Sequence, residues 1–165
     1  MLNMFKISKI IKYIHQQSIQ VYKRIYFKRI GLHYGKNFHI FGKVIIKGNP
    51  KNIWIGENCA LNDYVFLEAG EKIYIGNNVT ISSFVQIHTS GLDLSPEHFL
   101  QKHIRKPVYI SNNVWIGCGT IILSGVNIAN NVVIGANSTV TKNLEAGYLY
   151  AGSPAKKIRQ LYNSV

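Results

Sequence analysis

From Tyr34 onward, an aliphatic or aromatic residue returns every six positions. The series runs Tyr34, Ile40, Ile46, then Ile55, Leu61, Leu67, then Ile75, Ile81, Ile87. After an interruption it resumes at Ile110, Ile116, Ile122 and continues through Ile128, Ile134, Val140. Four residues after most of these stands a second small or aliphatic residue: Val44, Cys59, Val65, Val79, Val85, Val114, Thr120, Val126, Val132, Ser138. Glycine and small polar residues fill the gaps, as in Gly76-Asn77-Asn78 and Ser111-Asn112-Asn113. A helix repeats about every 3.6 residues and a strand about every 2, so neither yields a strict six. A short strand followed by a tight corner does. Positions 1 and 5 of each hexad then turn inward, and Gly or Asn takes the strained backbone at the corner. Three hexads close one triangular coil, which predicts coils at 34–51, 55–72, 75–92, 110–127 and 128–145. Each coil buries its apolar row only by stacking on a neighbour.

Ahead of the repeat, Ile7, Ile10, Ile11, Ile14, Val21 and Ile25 follow helical spacing with Lys or Arg between them. This predicts a basic amphipathic helix over 2–30. Such a helix can cap the open end of the solenoid and cover its unpaired edge, or lie on anionic lipid as a peripheral membrane contact. Nucleic acid is not expected as a partner, because interleaved cations alone are a weak signal. Residues 93–109, DLSPEHFLQKHIRKPVY, break the repeat and predict an excursion loop on a rigid scaffold, where binding residues tend to sit. Gly152-Ser153-Pro154 predicts a turn, followed by a short helical tail. The expected architecture is therefore all-β: a parallel β-helix of about five coils over 32–147, an N-terminal amphipathic helix over 1–31 and a C-terminal helical tail over 148–165.

The net charge of +12 sharpens one end of this picture. Eleven of the 19 basic residues fall within residues 1–56, and the first acidic residue is Glu57. The basic character belongs to the N-terminal end, and the body is close to neutral. Cys59 and Cys118 stand far apart without a CxxC pairing, which argues against a disulfide framework or a zinc site and fits a reducing compartment. No apolar run is long enough for a spanning helix, and Lys6, Lys9 and Lys12 interrupt any secretory signal. A cytoplasmic protein is expected, at most peripheral at the inner face of the membrane.

The stretch NNVWIGCGTIILSGVNIANNVVIGANSTVTKNL, followed by AGSPAKKIR, resembles the C-terminal half of the hexapeptide-repeat sugar acetyltransferases. These include the galactoside and maltose enzymes and the capsule and lipopolysaccharide enzymes. The repeat resemblance covers about 34–159 and is most specific over 110–159. It implies a left-handed winding, which the spacing alone does not establish and which breaks the usual handedness of parallel connections. It also implies a homotrimer that binds acetyl-CoA as co-substrate between neighbouring β-helices, with no metal. Transfer would be direct to a hydroxyl of a sugar or lipid-linked saccharide or, in some branches, to an amine. By position, Cys118 would offer its backbone to the cofactor, with Trp115 in the same stretch. Ala136, Thr141 and Lys142 would line the pantetheine and phosphate path, and Lys156 and Arg159 would meet the nucleotide phosphates. Asn62 in CALND aligns with an acceptor-site Asn.

Direct transfer needs a general base for the acceptor and donors for the oxyanion. The resembling enzymes place a His after the third coil, at the position held here by Leu92. The candidates that remain are His88, on the coil from which the excursion leaves, and second His103 inside it. Asp93 is a further candidate, for the acceptor site or to orient an imidazole. The sequence reading is thus an acetyl-CoA-dependent O-acetyltransferase acting on a sugar during polysaccharide or glycolipid biosynthesis. An N-acyltransferase on an amino-sugar, or a non-catalytic β-helix scaffold because of Leu92, stands beside it. A zinc enzyme on the same scaffold would need three suitably placed histidines, and His98 and His103 both fall in the excursion.

Overall fold

The computed structural model describes residues 4–99 and 101–161; within the helix, side chains are described for Lys9, His15 and from Gln17 onward. A single helix, α1 (Met4–Arg29), leads into the repeat. The first coil comprises β1 (His33–Tyr34), β2 (His39–Ile40) and β3 (Val44–Gly48), and the second β4 (Ile53–Ile55), β5 (Ala60–Leu61) and β6 (Val65–Ala69). The third comprises β7 (Ile73–Ile75), β8 (Thr80–Ile81) and β9 (Gln86–His88), after which β10 (Ser90–Leu92) and β11 (His103–Arg105) leave the solenoid. The fourth comprises β12 (Val108–Ile110), β13 (Trp115–Ile116) and β14 (Ile121–Ile122), and the fifth β15 (Asn127–Ile128), β16 (Val133–Ile134) and β17 (Thr139–Val140). Strands β18 (Tyr148–Ala151) and β19 (Lys156–Gln160) close the chain.

Corresponding strands stack in parallel into three faces. Sheet I runs β1-β4-β7-β12-β15, sheet II runs β2-β5-β8-β13-β16 and on to β18-β19, and sheet III runs β3-β6-β9-β14-β17. The hexad positions sit in register across coils: Leu61 pairs with Ile81, Ile81 with Ile116 and Ile116 with Ile134. Every position-1 residue from Ile40 on is buried except Ile46, which with Tyr34 packs half-covered in the end coil. Taking each such side chain from water contributes about 1.5–3 kcal/mol, and the core is one continuous column.

The corner between sheets I and II explains the recurrent Asn-Asn. Asn37, Asn58, Asn78, Asn113 and Asn131 all hold left-handed backbone, with φ between 53° and 58°. Asparagine tolerates that region better than other non-glycine residues. Each side-chain amide then donates to the carbonyl oxygen of the next, at 2.9, 3.2, 2.9 and 3.0 Å, forming one ladder through all five coils. On the outer face of sheet I, His33, Trp54, Tyr74 and Tyr109 stack at 4.9–5.1 Å.

The described part of α1 does cover the N-terminal edge, but with its polar side. Gln20 is buried and pairs with β2 as a strand would, donating to the Ile40 carbonyl at 2.9 Å and accepting the Ile40 N–H at 3.0 Å. Lys23 donates to the carbonyls of Ile40 and Gly42, and Arg24 to that of Phe38. Phe27 completes the plug. The stripe of apolar residues points elsewhere: Val21 and Ile25 are exposed, while the side chains of Ile7, Ile10, Ile11 and Ile14 lie outside the described residues.

Two expectations change. The C-terminal tail is not helical. β19 runs antiparallel against β18, because β18 extends sheet II and leaves an open edge that the returning chain satisfies. The excursion also begins before 93 and ends before 109. Ser90–Leu92 and His103–Arg105 zip into an antiparallel hairpin, and Val108–Ile110 already rejoins sheet I between β7 and β15. The alternation Val108-x-Ile110 buries both ends of that strand, which holds it in the solenoid.

Candidate active site

The corner between sheets II and III carries three of the sequence candidates. Cys118 and Ala136 lie at this corner in the fourth and fifth coils, each two residues past the buried Ile116 and Ile134, and Asn62 lies one position earlier in the second coil, next to the buried Leu61. In the last two coils the corner is stripped of bulk. A Cβ on Gly117 would meet the Ala136 nitrogen at 2.6 Å, and one on Gly119, at φ 69°, would meet Asn137 Oδ1 at 2.4 Å. Only glycine fits there, so the coils approach closely and leave Cys118 and Ala136 exposed on a smooth backbone edge. Among the described residues, neither the Cys118 nor the Ala136 N–H donates to a backbone acceptor. Trp115 stands exposed beside this edge on sheet II, its indole N–H donating to Ser82 Oγ at 3.1 Å. Asn62 spends its amide on the Ile81 carbonyl, which secures the corner.

The edge runs into the C-terminal turn. Ala151 packs on Gly135, Ala155 donates its N–H to Thr139, and Lys156 pairs with Ala151 across the β18–β19 ladder. Arg159 pairs with Leu149 further along. Among the described residues neither Lys156 nor Arg159 is ion-paired, whereas Lys157 is held by Glu145 at 2.7 Å. Lys156 thus stands without an ion-pair partner where the edge with its unspent N–H donors ends, while Arg159 lies further along β19 and donates to the Gln160 carbonyl. Thr141 and Lys142 lie on the far side of sheet III, after Val140, and do not join this edge.

His88 occupies the outer face of sheet III. It lines a depression of about 360 Å3 with Ile45, Tyr64, Phe66, Phe84 and Gln86. Its Nε2 is 3.1 Å from Gln86 Oε1, and its ring tilts against Phe66 at 5.5 Å. Burial pushes the imidazole below its ordinary value; Glu68 opposes that shift and Lys47 adds to it. The base form is therefore favoured near neutral pH. Glu68 is the cross-strand partner of His88. Its carboxylate accepts the N–H groups of Thr89 and Ser90 and both their hydroxyls, at 2.8–3.2 Å. Burial works to raise the Glu68 carboxyl, but these four donors outweigh it and hold the group below its ordinary value. The same contacts fasten the root of the excursion hairpin beside His88.

The hairpin sets Leu92 directly opposite His103. Facing residues of an antiparallel pair share a side of the ribbon, with Cβ atoms roughly 5 Å apart. Asp93 does not reach His88; it accepts the Ser95 N–H at 2.9 Å and faces His98 Nδ1 at 3.8 Å. Among the described residues no cluster of three metal-ligating side chains forms.

The depression beside His88 was not anticipated. Tyr64 and Phe84 occupy the left-handed corner slot, at φ 57° and 61°, and stack at 5.3 Å. Bulky residues there are outliers that point to a use. Their one signal in the sequence is that they stand where the fifth coil has Asn137.

A family model described as the bacterial transferase hexapeptide, six repeats, matches residues 107–142. The chain is 35% identical over 133 residues to a galactoside O-acetyltransferase of Lactococcus lactis, covering 79% of this chain and 63% of that one. It superposes on the crystal structure of a maltose O-acetyltransferase from Clostridium difficile with a TM-score of 0.77 and 32% identity, over 83% of this chain and 73% of that chain. The chain belongs to the hexapeptide-repeat acetyltransferase family. Its fold is the left-handed parallel β-helix of that family. A third match is a hexapeptide-repeat acetyltransferase from Vibrio cholerae solved in complex with acetyl coenzyme A, with a TM-score of 0.75 and 29% identity over 90% of this chain and 81% of that chain. The chain spans less than two thirds of the length of the first curated relatives it matches.

Proposed function

We propose that this hexapeptide-repeat protein is an acetyltransferase that moves the acetyl group of acetyl-CoA onto a hydroxyl of a sugar or lipid-linked saccharide, in polysaccharide or glycolipid biosynthesis in the cytoplasm. The observation that carries this is the smooth edge at Cys118 and Ala136, with its unspent N–H donors, ending at the cation Lys156, unpaired among the described residues, with Arg159 further along the same strand. Pantetheine amides would meet the backbone, and the nucleotide phosphates would meet the cations. The narrow edge has one wall only, so a homotrimer, with a neighbouring β-helix as second wall, fits it. Trp115 flanks the edge. Thr141 and Lys142, displaced from it within one chain, would act across that interface, as would Asn62 and Asp93 toward the acceptor.

In this reading His88, through the ring nitrogen that does not donate to Gln86, takes the proton of the acceptor hydroxyl as its oxygen attacks the thioester carbonyl. The tetrahedral oxyanion is held by a backbone N–H such as that of Cys118. Collapse expels the CoA thiolate, which receives the proton from His88. The register of Leu92 with His103 favours His103 as the second choice of base. The test pairs thermal unfolding with acetyl-CoA, CoA and ATP with mass spectrometry of a panel of sugar and amino-sugar acceptors. A midpoint rise with acetyl-CoA and CoA but not ATP, with acetyl ester formed, supports the proposal. Amide products would make it an N-acyltransferase, and no shift with either thioester or CoA would leave a scaffold. Replacing His88 with Ala should lower turnover by roughly 10²–10⁴; if only His103→Ala does so, the base is His103.

A further inference from the structure

The helix α1 presents the wrong side to the solenoid for a simple cap. Its docking contacts come from Gln20, Lys23, Arg24 and Phe27, which recur at helical spacing along one side. The opposite side carries Val21, Tyr22 and Ile25, exposed by 54%, 71% and 59%, while Tyr26 stands at the flank with its ring edge-on to the docked Phe27. A capping helix ordinarily buries its apolar stripe and leaves cations in water. Here cations are spent on strand carbonyls and the apolar stripe is turned outward.

The surroundings of that stripe are one-signed. Lys28 and Arg29 end the helix and are exposed, and no acidic residue occurs anywhere before Glu57. The eleven cations of this end would repel a second copy brought face to face. Nucleic acid would satisfy the cations but offers nothing to Val21 and Ile25. An anionic bilayer satisfies both: acyl chains take the aliphatic residues, the headgroup boundary takes the Tyr22 ring, and lipid phosphates take the cations. No described helix is long and apolar enough to cross a membrane, so the contact would lie in the surface plane.

We propose that the outward face of α1, built on Val21, Tyr22 and Ile25, docks the protein on anionic phospholipid. The proposal stands apart from the acetyl-transfer chemistry.

The experiment is vesicle flotation of the full chain with phosphatidylcholine–phosphatidylglycerol vesicles against pure phosphatidylcholine vesicles, at low and high salt. The expected result is binding at least about tenfold stronger to the anionic vesicles and weakened by salt. The double variant Val21→Ser/Ile25→Ser should lose that binding with its thermal midpoint and any acetyl-CoA-induced shift unchanged. Lys28→Glu/Arg29→Glu provides a second, charge-based variant that should also lose it should the first fail to fold. Equal binding to both vesicles, or variants that float like the parent, overturns the proposal. So does a loss of assembled mass in sedimentation on Val21→Ser/Ile25→Ser, which would make the face a contact between copies. Failure of acetyl-CoA to shift the midpoint of the parent would count against the proposed activity and leave this result standing.

Discussion

At the scale of single residues, the asparagine ladder and the Glu68–His88 pair make separable claims. Asn78 both tolerates left-handed backbone and holds two ladder hydrogen bonds. Asn78→Ala loses both properties and should destabilise the protein by about 2–4 kcal/mol. Asn78→Gly keeps the backbone and should cost distinctly less; equal losses in denaturant unfolding would show that the amides, not the backbone, are what matters. Glu68 acts on His88 by charge. Removing it as Glu68→Gln takes away the influence that holds the imidazole up, so the acid limb of kcat/KM against pH should move to lower pH. A residue that only braced the hairpin would lower activity without moving the limb. Stability should respond as well. Because the folded Glu68 carboxyl lies below its ordinary value of 4.5, its contribution is present above that pH and is lost as pH falls through the folded value. Glu68→Gln should therefore flatten the acid-unfolding profile in that window.

At the scale of elements, the hexads were legible because every inward position is filled by the burial the coil demands. The rest depended on partners that a linear pattern does not carry. Residues 156–160, KKIRQ, are exposed throughout and have little strand character of their own; the open edge of β18 imposes the strand. His103 opposite Leu92 is a property of hairpin register, invisible until Ser90 meets Arg105. The helix was legible as amphipathic, yet its orientation was not, because Gln20 outcompetes the aliphatic stripe by satisfying both groups of Ile40. Gln20→Ala should accordingly cost about 1–3 kcal/mol by orphaning a buried pair. Ile25→Ser, on the exposed side, should stay within about 0.5 kcal/mol. Matching losses for the two in chemical denaturation would mean that the helix docks otherwise than through Gln20.

At the scale of the whole molecule, the proposed cofactor edge is half a cleft. Sedimentation should return three times 18.7 kDa, and a monomer would leave the edge without its second wall. Ala136→Phe adds bulk on an exposed corner and should leave the unfolding midpoint in place while abolishing the shift caused by acetyl-CoA; an undiminished shift would move the cofactor elsewhere. The candidate residues of the edge were legible through the family resemblance, whereas the aromatic depression beside His88 faces outward from the repeat and escapes a search for the core. The three corners also differ in what they allow. Every step from sheet I to II, and from II to III, is one hexad. The step from III back to I takes nine residues from Ile46 to Ile55, eight from Leu67 to Ile75, twenty-three from Ile87 to Ile110 and six from Ile122 to Ile128. The asparagine ladder runs through one corner in all five coils and close backbone approach tightens another in the last two, while length varies only at the third. A lineage built on this chain would be free to acquire new segments along that single seam, whereas an insertion at either other corner would have to break the ladder or the close approach.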